Sequence, residues 1–264
     1  MKYIDIHCHL DYFGEGEERD GVLARMKEEG VGTITVGADL KRSKRAVEIA
    51  EANENVWATI GIHPNYNDDA KKLEKLIDNP KVVGIGECGL DYFRMEDPSE
   101  KAKQKILFEE QIQLAIKYDK PLMLHVRDAR PNGSSGRAYD DALNILENYK
   151  REAGSKLRGN IHFFAGNVEI AKKFLDLDFT ASFTGVITFT HDYDEVIKYI
   201  PQNSIMSETD APFVAPVPFR GKKGEPAQVI YVVEKMAEIR GEDADVLNSA
   251  IIQNFKRVFD VSCA

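Results

Sequence analysis

The chain has 264 residues, 43% hydrophobic and 30% charged, with a formal net charge of −9. That length suits one α/β domain of barrel size, and no apolar run approaches the ~20 residues a membrane span requires. An acidic surface repels polyanions at long range, so any contact with nucleic acid has to come from local basic groups. Cys8, Cys88 and Cys263 lack the number and spacing of a disulfide framework, and nothing at the start of the chain reads as a signal peptide. The expected compartment is therefore a reducing, cytoplasmic one.

Taken in chain order, short apolar runs alternate with segments of helical period. Strands are expected at residues 3–8, 32–37, 56–61, 82–87, 121–125, 159–163, 179–182 and 204–208. Helices are expected near 18–29, 41–53, 68–78, 99–118, 138–152, 167–176, 192–200 and 225–239, with a last one near 243–259. Regular strand–helix alternation predicts parallel strands joined by crossover helices, and eight such units close a (β/α)8 barrel, a TIM barrel. No linker divides the chain, so residues 1–264 form a single expected domain. A doubly wound open sheet would need a Gly-rich phosphate turn after the first strand, and His7-Cys8-His9-Leu10-Asp11 is not one. The segment 130–137 carries Pro, Gly and Ser and follows a strand, which predicts a mobile loop beside the catalytic face.

The sequence holds six histidines, and five of them close expected strands: His7 and His9, His63, His125, and His162. Residues two apart on a strand share a face, so His7 and His9 can turn toward one ion while Cys8 points into the packing. The C-terminal ends of barrel strands converge on one mouth. Five independently satisfied core histidines are the alternative. Glu87 closes another apolar run, where an ionised carboxylate has to be compensated by a metal or by hydrogen bonds. Asp210 follows the last strand, as a ligand or as an Asx turn. Imidazole and carboxylate donors suit Zn, Mn, Fe or Ni, and Mg less naturally. Six such ligands exceed the needs of one catalytic ion, whereas two divalent metal ions about 3.5–4 Å apart with a shared carboxylate use them all.

Together these motifs resemble the TatD family of metal-dependent deoxyribonucleases, within the amidohydrolase-like barrels. The matching segments are Asp5-Ile6-His7-Cys8-His9, Gly61-Ile62-His63-Pro64, Gly86-Glu87-Cys88-Gly89-Leu90-Asp91-Tyr92, Leu124-His125-Val126-Arg127-Asp128-Ala129, Glu208-Thr209-Asp210-Ala211-Pro212 and Arg220-Gly221-Lys222. The resemblance implies that His7, His9 and Asp210 hold one ion, that His125 and His162 hold the other, and that Glu87 bridges them. Related phosphotriesterase-like barrels bridge with a carboxylated lysine, and here no lysine ends an expected strand. Phe219 stands where the family usually has histidine, Gly224 where it usually has asparagine, and the loop after His125 is longer than usual. All three bear on substrate preference, since none is a proposed ligand.

Two cations would lower the pKa of a bridging water and neutralise a phosphodiester, with Asp210 taking the water's proton and Glu87 completing the catalytic pair. His63 exceeds the ligand set and is expected to contact phosphate or leaving group, or else to support the site. Arg127, Arg220, Lys222 and Lys223 could add positive charge, although each could equally be an ordinary solvated base. Asp91 is expected to orient its neighbours, and His191 to sit at a helix start. The expected substrate is DNA, short or single-stranded, with cleavage from a 3′ end as the resemblance suggests. A binuclear amidohydrolase or esterase acting on a small molecule is the alternative, because the same chemistry attacks carbonyl carbon or phosphorus. No membrane and no obligate protein partner is expected.

Overall fold

Eight parallel strands pair in the order β1-β2-β3-β4-β5-β6-β7-β8 in the structure, a computed structural model that describes residues 1–93, 95, 97–129 and 137–261. They are β1 (Tyr3–Cys8), β2 (Val31–Val36), β3 (Val56–Ile60), β4 (Val82–Asp91), β5 (Leu122–Arg127), β6 (Gly159–Ile161), β7 (Phe179–Phe183) and β8 (Ile205–Ser207). Between and after them run α1 (Glu17–Glu29), α2 (Leu40–Glu51), α3 (Pro98–Lys117), α4 (Ala138–Ala153), α5 (Val168–Asp176), α6 (Asp194–Tyr199), α7 (Val229–Arg240) and α8 (Ala244–Phe259). This is the expected TIM-barrel order. The expected loop lies outside the described residues at 130–136, and so does Cys263.

Local chemistry accounts for the boundaries. The side chains of Asp39, Asn167 and Asp243 accept from backbone N–H groups in the first turns of α2, α5 and α8, which satisfies donors that the helix itself leaves free. Gly30 and Gly241 end α1 and α7 in the left-handed region, where glycine has no Cβ to clash. The helix expected near 68–78 is instead a 3-10 turn, Ala70–Lys75. Its buried residues are Ala70 and Leu73, three apart, a spacing that 3-10 geometry stacks on one edge. The apolar faces of α3 and α8 lie on β4 and on β1 with β8. Their fully buried Phe108, Ile112, Ile251 and Phe255 each contribute about 1.5–3 kcal/mol of burial.

β8 is short, and the residues after it complete the closure. Asp210 N donates to His7 O at 2.9 Å and His9 N to Ala211 O at 2.7 Å, and Cys8 bridges Ala211 in parallel register. The seam of the barrel is thus made of the segments that carry His7, His9 and Asp210. Among the described residues no helix is long and apolar enough to cross a membrane.

Candidate metal centre

β4 runs four residues beyond its expected end and shifts register against β5 between Ile85 and Cys88. Gly86 lies at φ +146° and its α-hydrogen faces the Met123 carbonyl, where a Cβ would come within 2.3 Å. A Cβ on Gly61 would meet the Gly86 backbone at 2.4 Å. Two glycines therefore let β3 and β4 touch at the bulge that turns Glu87 into the barrel mouth. The Gly86-Glu87 peptide is cis.

Glu87 is 4% exposed and divides its oxygens between two groups of imidazoles. Oε2 lies 3.7 Å from His7 Nε2 and 3.8 Å from His9 Nε2. Oε1 lies 2.8 Å from His125 Nδ1 and 3.0 Å from His162 Nε2. On the first side His7 Nε2 and His9 Nε2 are 3.3 Å apart, and Asp210 Oδ1 is 3.8 and 3.4 Å from them. On the second side His125 Nδ1 and His162 Nε2 are 3.3 Å apart. Imidazole nitrogens and carboxylate oxygens converge on each side, a donor set that suits divalent ions. His7-His9-Asp210 and His7-Glu87-His162 are each close enough to hold one.

The far nitrogens of three of these rings face acceptor oxygens. His9 Nδ1 lies 3.2 Å from Val36 O, His162 Nδ1 3.3 Å from Glu208 Oε1, and His125 Nε2 3.3 Å from Asp91 Oδ2. In the neutral rings a proton on Nδ1 of His9 and of His162 leaves a lone pair on the near nitrogen, facing the cluster, whereas His125 Nε2 makes no hydrogen bond among the described residues. His7 Nδ1 is buried and unpartnered. Residues His7, His9, Glu87, His125, His162 and Asp210 thus come together.

Protonation follows from the same crowding. Burial works against charge on Glu87, but the charge of His162 and hydrogen bonding with His125 and His162 outweigh it and hold its carboxyl well below the usual range. Burial also works against charge on His9, His125 and His162. Asp210 and Glu87 raise His9, Asp91 and Glu87 raise His125, and Glu87 and Glu208 raise His162 well above an ordinary imidazole. His7 is held well below it, by burial first and then by His162. Burial and the neighbouring His125 lower His63 to about 4. The neutral ring accepts from Asn65 N through Nδ1 at 3.2 Å, so its proton sits on Nε2, 3.7 Å from Glu87 Oε1.

A cavity of about 740 Å³ opens over this cluster, lined among others by His63, Arg127, Tyr12, Tyr66, Phe163 and Phe213. Arg127 lies on its rim with the guanidinium 3.8 Å from the Phe93 ring. Arg220 does not line the cavity. Its guanidinium rests 3.6 Å over Phe189, because a solvated loop cation gains more from an aromatic face than from open water. Lys223 is also engaged elsewhere, 2.6 Å from Glu18, and Phe219 packs on Tyr231 of α7. His191 is 83% exposed and pairs with Asp194 at the start of α6.

Two carboxylates escaped the sequence reading. Glu208, wholly buried, accepts from Phe163 N at 2.8 Å and Ser182 Oγ at 2.6 Å while facing His162. Asp5, also wholly buried, accepts from Thr209 N, Thr209 Oγ1 and His7 N. Burial drives the Asp5 carboxyl well above its ordinary value despite those bonds. Each ties one ligand-bearing segment to another. The available signal was a carboxylate within or just after an apolar strand. Phe163 and Asp210 themselves adopt φ of +45° and +54°, sparsely populated values that concentrate at functional sites.

Comparison with known proteins identifies the family. The chain matches the family described as TatD related DNase over residues 4–260. It is 36% identical to the uncharacterized metal-dependent hydrolase YabD of Bacillus subtilis over 266 residues, covering 98% of this chain and 99% of that one. It is 34% identical to the uncharacterized metal-dependent hydrolase YcfH of Escherichia coli over 273 residues, covering 100% and 98%. The crystal structure of YJJV, a TatD homolog from Escherichia coli, superposes with a TM-score of 0.86 at 28% identity, covering 99% of each chain. With the barrel, the clustered imidazoles and these relatives in agreement, the chain belongs to the TatD family of metal-dependent hydrolases.

Proposed function

We propose that the chain hydrolyses phosphodiester bonds of DNA, in short or single-stranded form, using two divalent cations held at the barrel mouth. The observation that carries the reading is the divided orientation of Glu87, one oxygen toward His7 and His9 and the other toward His125 and His162. His7, His9 and Asp210 would hold one cation, His125 and His162 the other, and Glu87 both. Zn, Mn, Fe and Ni fit these donors, and Mg less well. When bound, such cations activate water for attack and neutralise the charge of a phosphodiester. The family's description as DNase-related supports DNA as the substrate. The cavity volume falls within the range of small-ligand sites.

The protein's own groups have distinct tasks in this reading. Asp210, at the edge of the cavity, takes the proton of the attacking water. His63 presents an Nε2–H, a neutral donor suited to a phosphate or leaving-group oxygen. Arg127 offers a fixed positive charge at the rim. Arg220 lies outside the cavity lining, with its guanidinium over Phe189. Cys8 and Cys88 are buried free thiols, which supports a cytoplasmic setting.

The test is a hydrolysis panel on metal-reconstituted protein, with end-labelled single-stranded and duplex DNA, RNA, and small phosphate and carboxyl esters. Single-stranded DNA is expected to be cleaved fastest. Turnover confined to carboxyl esters or amides would overturn the reading in favour of a small-molecule hydrolase.

A further inference from the structure

Tyr12 and Phe213 are 38% and 44% exposed, among the largest apolar groups left open to solvent. They come from opposite ends of the chain, Tyr12 from the loop after β1 and Phe213 from the loop after β8. Their rings meet edge to face at 5.5 Å, and each also meets the His9 ring, at 5.5 and 5.8 Å. Both line the cavity over the metal cluster. The Arg42 guanidinium lies 5.0 Å from the Tyr12 ring centroid and 5.6 Å from that of Tyr66.

A phosphodiester has no use for an apolar wall. The reacting group is charged and strongly hydrated, and an exposed aromatic pair one residue's width from its ligands costs hydration without helping it. A planar, apolar group attached to the phosphodiester does use such a wall. Every nucleobase has a π-face, and stacking on an aromatic side chain is tolerant of sequence. We propose that Tyr12 and Phe213 form a nucleobase-stacking subsite for the nucleotide next to the scissile phosphate. This inference rests on the DNA-hydrolase reading and deepens it. A base held against Tyr12 and Phe213 inside the cavity is unavailable for pairing, so the subsite selects an unpaired nucleotide and accounts for a single-strand preference. The base then lies on the His9 side of the cavity.

The experiment is a double-mutant cycle between ring and base, on the metal-reconstituted full chain. One partner is Phe213→Ala or Tyr12→Ala, with Tyr12→Phe as the variant that keeps the ring. The other is a single-stranded oligonucleotide whose nucleotide beside the scissile bond is either intact or an abasic analogue. Metal content is measured for each protein. The expected result is a loss of about tenfold or more in kcat/KM for each alanine variant on the intact strand, a much smaller loss on the abasic strand, and near-native kinetics for Tyr12→Phe. Equal losses on both strands, or lowered metal content, overturn the subsite, because the rings then support the metal cluster. Unchanged kinetics on both strands overturn it as well. A native protein that cleaves neither strand overturns the nuclease reading itself, whereas one that cleaves both equally well overturns the stacking subsite alone.

Discussion

Glu87 touches both imidazole groups, so removing it damages two sites at once. Glu87→Ala is expected to abolish hydrolysis and to lower bound metal to about one ion or fewer per chain, read by elemental analysis. Retention of two ions would contradict the bridging role. The neighbouring histidines add a pH dependence with a definite sign. His9, His125 and His162 keep their protons to higher pH than a free imidazole, and a cation has to displace those protons. Metal affinity is therefore expected to rise with pH through the imidazole range, to level off once the raised values are passed, and to be accompanied by proton release, both read by calorimetry in buffers of different ionisation enthalpy. An affinity independent of pH would mean the rings are already neutral. The ligands were legible in the sequence because histidine is scarce and each one closes an apolar run. Glu208 and Asp5 were not, since their meaning lies in partners far along the chain: Thr209 is 204 residues from Asp5, and Phe163 is 45 from Glu208. The placement of Arg220 was equally hidden, as it depends on where Phe189 happens to lie.

At the scale of elements, the alternation of strand and helix was readable from periodicity, and the barrel order followed from it. Periodicity does not report φ, so it ended β4 at Glu87, where the glycines at 86 and 89 instead bend the strand and let it continue to Asp91. The same blindness turned a 3-10 turn near Ala70 into a helix. Gly61 tests the strand contact directly. Gly61→Ala pushes a Cβ into the Gly86 backbone, with no side chain free to move aside. A destabilisation of about 1–3 kcal/mol is expected from such overpacking, measured by urea unfolding, together with reduced metal content because the displaced segment carries Glu87. Native stability with native metal content would show that β3 and β4 separate without disturbing the site.

For the molecule as a whole, the position of the metal cluster on the barrel seam links metal binding to closure. β1 meets the residues after β8 through His7 O, His9 N and Ala211 O, while the other neighbouring strands pair in parallel ladders, three of them with a register shift. The apolar core lies between barrel and helices and owes nothing to the cluster, so chelation is expected to leave the far-ultraviolet spectrum unchanged. A ligand that binds only the folded state at a hundredfold excess over its Kd adds about 2.7 kcal/mol. In a chain of this size that corresponds to a rise in Tm of roughly 5–10 °C, lost on chelation. The loss should also be local. Amide exchange at His7, His9 and Asp210 is expected to accelerate when metal is removed, because the seam then keeps its hydrogen bonds but loses the ion that ties β1 to the segment after β8. Amides in β3 and β5 should change little. A uniform acceleration across all strands would instead mean that the metal stabilises the barrel globally, and no change at the seam would detach His7, His9 and Asp210 from the metal altogether.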